Sequence, residues 1–72
     1  MEIDSSNNPY DKIEINGGFI RISFIERGWD DSPSIRIQIE ESNGHLRQGP
    51  EIPASSIGEV IKSVIDILSQ HH

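Results

Sequence analysis

Apolar and polar residues alternate with a period of two along much of the first two thirds of the chain. The stretch Phe19–Arg27 reads FIRISFIER and the stretch Ser34–Glu40 reads SIRIQIE. Because successive side chains of a strand point to opposite faces, both stretches predict β-strands with one apolar and one polar face. The apolar face is expected to carry Ile20, Ile22, Phe24, Ile35, Ile37 and Ile39.

Turn residues separate these strands from an earlier one. The stretch Tyr10–Ile15 also alternates, and it is followed by Asn16-Gly17. This dipeptide supplies the positive φ angles that a tight hairpin requires, so the first two strands are expected to pair. The stretch Gly28–Pro33 is rich in residues that interrupt pairing and predicts the loop before the third strand.

A fourth strand is predicted after the turn Ser42–Gly44. It begins at His45, and the alternation places Leu46 on the apolar face and Arg47 on the polar face. Proline cannot donate a hydrogen bond to a sheet. Gly49-Pro50 therefore predicts that this strand is short, bulged or at a sheet edge.

The spacing becomes helical near the C-terminal end. From Ile57 onward, apolar residues recur at i, i+3, i+4, i+7, i+8 and i+11, which is one helical stripe. Ser56 and Glu59 have capping-box spacing, and Pro53 marks an alternative earlier start. Ile67 widens the stripe, which leaves open a broad core face or a face shared with a second subunit. The stripe consists of Ile57, Val60, Ile61, Val64, Ile65 and Leu68.

These elements predict an α+β fold: a four-stranded antiparallel β-meander followed by one C-terminal helix (ββββα), which covers one face of the sheet. Residues 1–9 are expected to form a flexible polar arm and residues 10–70 a single domain. Residues 71–72 are histidines of the kind that a purification tag leaves. Seventy-two residues without cysteine form a small core with no disulfide, which favours a homodimer.

The chain contains no apolar run of the roughly 18–20 residues that a membrane span needs. No basic stretch followed by an apolar run opens it, as a signal peptide would. We therefore expect no membrane partner and a cytoplasmic location.

Charge is distributed unevenly over the predicted sheet. The net charge of −6 counts against nucleic-acid binding when it is taken globally. On the polar face, however, basic residues outnumber Glu14 and Glu40 by three, and Phe19 and Trp29 share the phase of strand two. Single-strand binders combine such a cationic face with aromatic rings on which bases stack. The predicted nucleic-acid-binding residues are Lys12, Phe19, Arg21, Arg27, Trp29, Arg36 and Arg47.

The same face also has a simpler interpretation. Arg21 and Arg36 can pair across strands with Glu14 or Glu40 and form an ordinary solvated surface. Ile25 is expected on this face as well, which suggests either coverage by a partner or a bulge that changes the phase. A protein-interaction module that uses the acidic surface and an edge strand is therefore the alternative function.

The order of elements from Phe19 to Leu68 resembles that of the positive-cofactor-four family of transcriptional coactivators, with which the Whirly and Pur-alpha proteins share a general plan. The resemblance rests on the third strand, the Ser42-Asn43-Gly44 turn, the Gly49-Pro50 break, the Ile52-Pro53 step and the helix Ile57–Leu68. It implies a sheet that binds single-stranded DNA, a role in transcription regulation and dimerisation through the helix. The expected dimer interface is Val60, Val64, Ile67 and Leu68.

No motif indicates catalysis or a cofactor. Ser55 and Ser56 have no evident base, and the adjacent Glu40 and Glu41 point to opposite faces of a strand. The pair Asp30-Asp31 supplies too few ligands for a hard cation. His45 is isolated from other metal-binding residue types. We therefore predict a non-enzyme with no catalytic residue, no metal site and no cofactor.

Overall fold

The computed structural model describes residues 1–71 and consists of an antiparallel sheet followed by one helix. The strands are β1 (Glu2–Ile3), β2 (Pro9–Ile15), β3 (Gly18–Ile25), β4 (Ser34–Glu41) and β5 (Leu46–Pro53), and the helix is α1 (Ile57–Gln70). Short 3₁₀ turns occupy Trp29–Asp31 and Ala54–Ser56. The strands lie in chain order, β1-β2-β3-β4-β5. The predicted α+β class and antiparallel meander are confirmed.

The sheet has five strands, so the prediction of four is wrong. The additional strand, β1, pairs with the start of β2 and lies within residues 1–9, where we expected a flexible arm. A turn formed around Asp4 makes this pairing possible. The Asp4 carboxylate accepts hydrogen bonds from the backbone N–H groups of Ser6 (2.9 Å) and Asn8 (2.8 Å), and Asn7 takes a positive φ of 67°. The polar residues that suggested disorder are therefore turn residues.

The register of the central strands confirms the predicted apolar face. The cross-strand pairs Ile20–Ile39, Ile22–Ile37 and Phe24–Ile35 join β3 to β4 on one side of the sheet. Residues that face each other across an antiparallel pair share a face, so the period-two pattern places these six side chains together.

A bulge in β5 reverses the predicted orientation of Leu46 and Arg47. The step from Arg36 to Gln38 on β4 is matched by the longer step from Glu51 to Gln48 on β5. The extra residue shifts the alternation by one, as a β-bulge does. Leu46 consequently pairs with Glu40 on the polar face, and Arg47 pairs with Ile39 on the apolar face.

The helix begins at Ile57 as predicted, but the predicted capping box is absent. Ser56 has helical backbone angles and its side chain makes no capping hydrogen bond. The 3₁₀ turn Ala54–Ser56 leads into the helix instead. The backbone N–H of Ala54 donates to the carbonyl of Pro33 at 2.9 Å, which ties the entry of α1 to the start of β4.

The helix does not cover the sheet, which corrects the prediction that it packs on the apolar face. Its main contacts are with the 3₁₀ turn Ala54–Ser56, and no strand contacts it to a comparable extent. Among the described large apolar side chains only Ile25 is buried, at 8% exposure. Ile25 lies on the polar face, so a single copy has no closed core between helix and sheet. No helix within residues 1–71 is both long and apolar enough to cross a membrane.

Candidate functional site

The polar face of the sheet brings together four of the seven residues predicted to bind nucleic acid. Lys12 on β2 stands opposite Arg21 on β3, and Phe19 stands opposite Glu40. Arg36 lies opposite Ser23 on the same face. These positions follow directly from the alternation of the strands.

The other three predicted residues lie elsewhere. Arg27 follows the end of β3 in a turn, and Trp29 lies in the 3₁₀ turn with 60% of its surface exposed. Arg47 lies on the apolar face, where its guanidinium is 3.9 Å from the Glu41 carboxylate. The seven residues predicted to bind nucleic acid are therefore divided between the two faces of the sheet and the segment that follows β3.

Carboxylates neutralise the cations that remain on the polar face. The Lys12 ammonium lies 3.3 Å from Glu40 Oε2, and the Arg21 guanidinium lies 3.7 Å from Glu40 Oε1. Arg36 donates from Nε and Nη2 to Glu51 Oε1 at 3.0 and 2.8 Å. Arg21 pairs with Glu40, as the simpler interpretation of this face predicts, whereas the partner of Arg36 is Glu51 instead of Glu14 or Glu40.

Acids outnumber cations on this face. The cations are Lys12, Arg21 and Arg36, and the acids are Glu2, Glu14, Glu40 and Glu51. The predicted excess of three positive charges is therefore not present. Arg27 lies in a turn and Arg47 on the other face, while β1 and β5 bring Glu2 and Glu51 onto this one.

Two cation–aromatic pairs lie along β2 and β3 on the polar face. The Arg21 guanidinium lies 4.1 Å from the centre of the Tyr10 ring, and the Lys12 ammonium lies 4.9 Å from the centre of the Phe19 ring. Both distances are within the range at which a cation is attracted to an aromatic ring. We call Tyr10, Lys12, Phe19 and Arg21 the aromatic–cation cluster.

A loop covers the polar face around Ser34, which pairs with Ile25. This accounts for the burial of Ile25, which we expected to be exposed. Ser34 is fully buried there, and its hydroxyl accepts a hydrogen bond from the backbone N–H of Trp29 at 2.8 Å. A Cβ on Gly28 would collide with the Ser34 side chain, so the loop backbone lies directly against the sheet. The loop therefore covers the part of the polar face around Ser34.

The apolar side presents a more open surface than the polar side. Helix α1 leaves five apolar residues between 50 and 63% exposed; these are Ile61, Val64, Ile65, Ile67 and Leu68. Three of them, Val64, Ile67 and Leu68, belong to the predicted dimer interface, and Val60 is partly buried. On the sheet, Ile13, Ile15 and Phe24 are also exposed.

A groove separates the helix from the sheet. Its volume is about 380 Å³ and it is bounded by aliphatic side chains alone. The sheet contributes Ile22, Ile35 and Ile37, and the helix contributes Ile57, Val60, Ile61, Val64 and Ile65. We call these eight residues the apolar groove.

The dimensions of the molecule agree with this open arrangement. Its accessible surface is 5567 Å², whereas a compact monomer of 8.1 kDa exposes about 4,500 Å². Its radius of gyration is 13.4 Å, against about 11 Å for a compact chain of 72 residues. The excess of roughly 1,100 Å² reflects surface that a compact domain would bury.

Metal-ligand residues do not converge in the described part of the chain. No group of three or more His, Asp or Glu side chains within residues 1–71 is arranged to hold a metal ion.

Comparison of the chain with protein-family models, with curated proteins and with solved structures gives no match. The resemblance to the positive-cofactor-four family therefore stays a prediction from the order of elements.

Sequence reasoning overlooked residues whose importance depends on the register. Tyr10 was assigned only to a strand, although its alternation with Lys12 places it on the polar face. Glu51 was assigned to no strand because Gly49-Pro50 suggested that β5 ends early. The sequence pattern identified the isoleucines that line the apolar groove as apolar positions. No feature of the sequence indicated that the helix would stand apart from the sheet.

Proposed function

We propose that this chain is a non-enzymatic protein-interaction module that acts as a homodimer through helix α1. The observation that carries the proposal is the apolar stripe of α1, which remains about half exposed or more from Ile61 to Leu68. Contiguous apolar patches of this kind on a soluble chain mark interaction sites. The predicted interface residues Val64 and Leu68 lie in the stripe, and Ile67 lies at its edge.

The physical reason to expect association is that a single copy has no closed core between its helix and its sheet. A chain of this size has little apolar surface to bury, and eleven large apolar side chains of the described residues stay at least 37% exposed. Burial contributes about 25 cal/mol for each Å² of apolar surface removed from water, so association supplies the stabilisation that folding of one copy leaves unrealised. The partner surface must be apolar because no charged side chain lies within the stripe.

Val64→Asp tests this proposal. A carboxylate in the middle of an apolar interface is an unpaired buried charge, which costs about 3 kcal/mol or more and weakens association at least a hundredfold. Sedimentation equilibrium of the unmodified chain is expected to give a dimer of about twice 8.1 kDa, and the variant is expected to be a monomer.

Lys62→Gln is the matched control. It also makes the net charge more negative by one unit, but Lys62 stands on the polar side of α1 and is exposed. This variant should remain a dimer. A monomeric unmodified chain, or equal behaviour of the two variants, would contradict the proposal.

Single-stranded nucleic-acid binding is a second proposal, and the aromatic–cation cluster favours it. Two aromatic rings and two cations lie side by side along β2 and β3 on the polar face. Bases stack on such rings while phosphates contact the cations. A phosphate would have to displace Glu40, which holds both Lys12 and Arg21.

Two substitutions with opposite expected effects test this second proposal. Glu40→Gln frees both cations and should tighten binding of a labelled oligothymidine, whereas Arg21→Glu should abolish it. With the two cations contacting phosphates, the logarithm of affinity should fall against the logarithm of salt with a slope of about −1.5. Fluorescence anisotropy at several salt concentrations measures the affinity of each variant and the slope of its salt dependence. Affinity that is unchanged by either substitution would rule out the cluster as the binding site.

A further inference from the structure

The apolar groove is held open by the way α1 leaves the sheet. The hydrogen bond from Ala54 to Pro33 and the 3₁₀ turn Ala54–Ser56 fix the start of the helix beside β4. From there the helix runs clear of the strands, and its contacts with them are few. The groove of about 380 Å³ is therefore a consequence of the connection.

We propose, on the basis of the homodimer argued above, that this groove receives apolar side chains of helix α1 of a second copy. Each copy inserts helix side chains into the groove of the other, and we call this arrangement the exchange. The two helices then lie side by side between the two sheets. The apolar face of each sheet is then covered in large part by the helix of the partner. The interface consequently includes Ile22, Ile35 and Ile37 of the sheet, beyond the helix residues predicted from the sequence.

The chemistry of the groove specifies an apolar helix. Its walls are aliphatic, and an unpaired charge or polar group placed there would lose its hydration without compensation. Helix α1 offers a matching surface, because its stripe from Ile61 to Leu68 is exposed and uncharged. A twofold arrangement lets each copy supply both the groove and the helix that fills it.

The lengths of the elements are compatible with this arrangement. Helix α1 has 14 residues and is about 21 Å long. Strands β3 and β4 have eight residues each and extend for about 26 Å. A helix laid along the central pair of strands therefore spans most of their length.

The excess surface matches what a second copy would bury. Each copy exposes roughly 1,100 Å² more than a compact monomer of its mass. A stable protein–protein interface of standard size buries about 800 Å² on each partner. The exposed surface of a single copy is thus sufficient for a dimer, and the exchange places both of its parts, stripe and groove, in one continuous interface.

Disulfide trapping between separate chains tests the exchange. The natural chain has no cysteine, so single-cysteine variants are unambiguous. Ile37→Cys places a thiol on the sheet wall of the groove, and Val64→Cys and Leu68→Cys place one on the helix. The Ile37→Cys chain is labelled uniformly with ¹⁵N, mixed with each helix variant, unfolded and refolded together, and oxidised. Intact mass then separates mixed from like-with-like disulfides.

The exchange predicts mixed disulfides between Ile37→Cys and at least one helix variant. Lys62→Cys is the control, since its side chain is on the polar side of the helix and should form none with Ile37→Cys. Far-UV circular dichroism of each variant checks that the fold is retained.

Two results would overturn the inference, and they are distinguishable. A dimer that gives only helix-to-helix disulfides, such as Val64→Cys with itself, would leave the homodimer standing and reject the exchange. A monomer by sedimentation would reject both the exchange and the proposed function on which it rests.

Discussion

At the scale of single residues, Asp4 decides whether the N-terminal segment joins the sheet. Its Oδ1 accepts two backbone hydrogen bonds, and the Asp4 N–H donates to the carbonyl of Asn8 at 2.9 Å. Hydrogen bonds to the charged form, foremost from the Asn8 backbone, hold the pKa of Asp4 below its usual value. One short carboxylate thereby closes the turn that brings β1 beside β2.

The sign of the pH dependence follows from this lowered pKa. A carboxyl group whose pKa is lower in the folded state stabilises that state at pH values above its unfolded pKa, and the contribution is lost as the pH falls through the folded pKa. We expect the β1–β2 turn to open in acid, with the amide resonances of Ser6 and Asn8 shifting together in an NMR titration.

Two variants sharpen this measurement. Asp4→Asn keeps an oxygen acceptor and should retain the turn but lose its pH dependence, whereas Asp4→Ala should expose β1 to rapid hydrogen exchange at every pH. An Asp4 carboxyl that titrates at or above the usual value for aspartate would contradict the assignment.

At the scale of elements, the bulge in β5 determines which side chains share a face. A Cβ on Gly49 would collide with the backbone carbonyl oxygen of Ile37, so this position of the bulge requires glycine. The bulge places Glu51 opposite Arg36 and Gln48 opposite Gln38, where the two glutamine side chains hydrogen-bond at 3.1 Å. The bulge therefore lets Gln48 and Glu51 lie on the polar face while Arg47 lies on the apolar face.

Gly49→Ala should lower the free energy of unfolding by more than about 1 kcal/mol, because the backbone must shift to make room for the methyl group. Gly58→Ala is the matched control. Gly58 lies in α1 with open space around it, and alanine there should raise the free energy of unfolding by about 0.5–1 kcal/mol. Urea unfolding measures both. If the free energy of unfolding changed with the same sign in both variants, the requirement for glycine at the bulge would be contradicted.

At the scale of the whole molecule, folding and association are expected to be coupled. One copy leaves the stripe of α1 and the apolar groove in water, and the proposed dimer would remove this surface from water. The stability of a chain that folds as it associates depends on protein concentration.

The melting temperature should therefore rise with concentration. A tenfold increase adds about 1.4 kcal/mol per dimer, which corresponds to roughly 3–6 °C for a molecule of this size. Circular dichroism melts over two decades of concentration measure the effect. The Val64→Asp variant should melt lower and at a constant temperature, and a concentration-independent melt of the unmodified chain would argue against coupled folding.

The sequence by itself determined the parts of this protein that depend on local periodicity. Alternation along β3 and β4 identified two strands and the face shared by Ile20, Ile22 and Phe24. The helical spacing from Ile57 identified α1 and its stripe. Such patterns are readable because side-chain direction follows directly from backbone geometry.

Only the tertiary structure decided the features that depend on pairing between distant segments. The bulge at Gly49 moved Arg47 to the apolar face, the turn at Asp4 added β1, and the loop over Ser34 buried Ile25. The connection through Ala54 held α1 away from the sheet. Each depends on register or chain direction, which contacts remote in sequence fix and which periodicity does not encode.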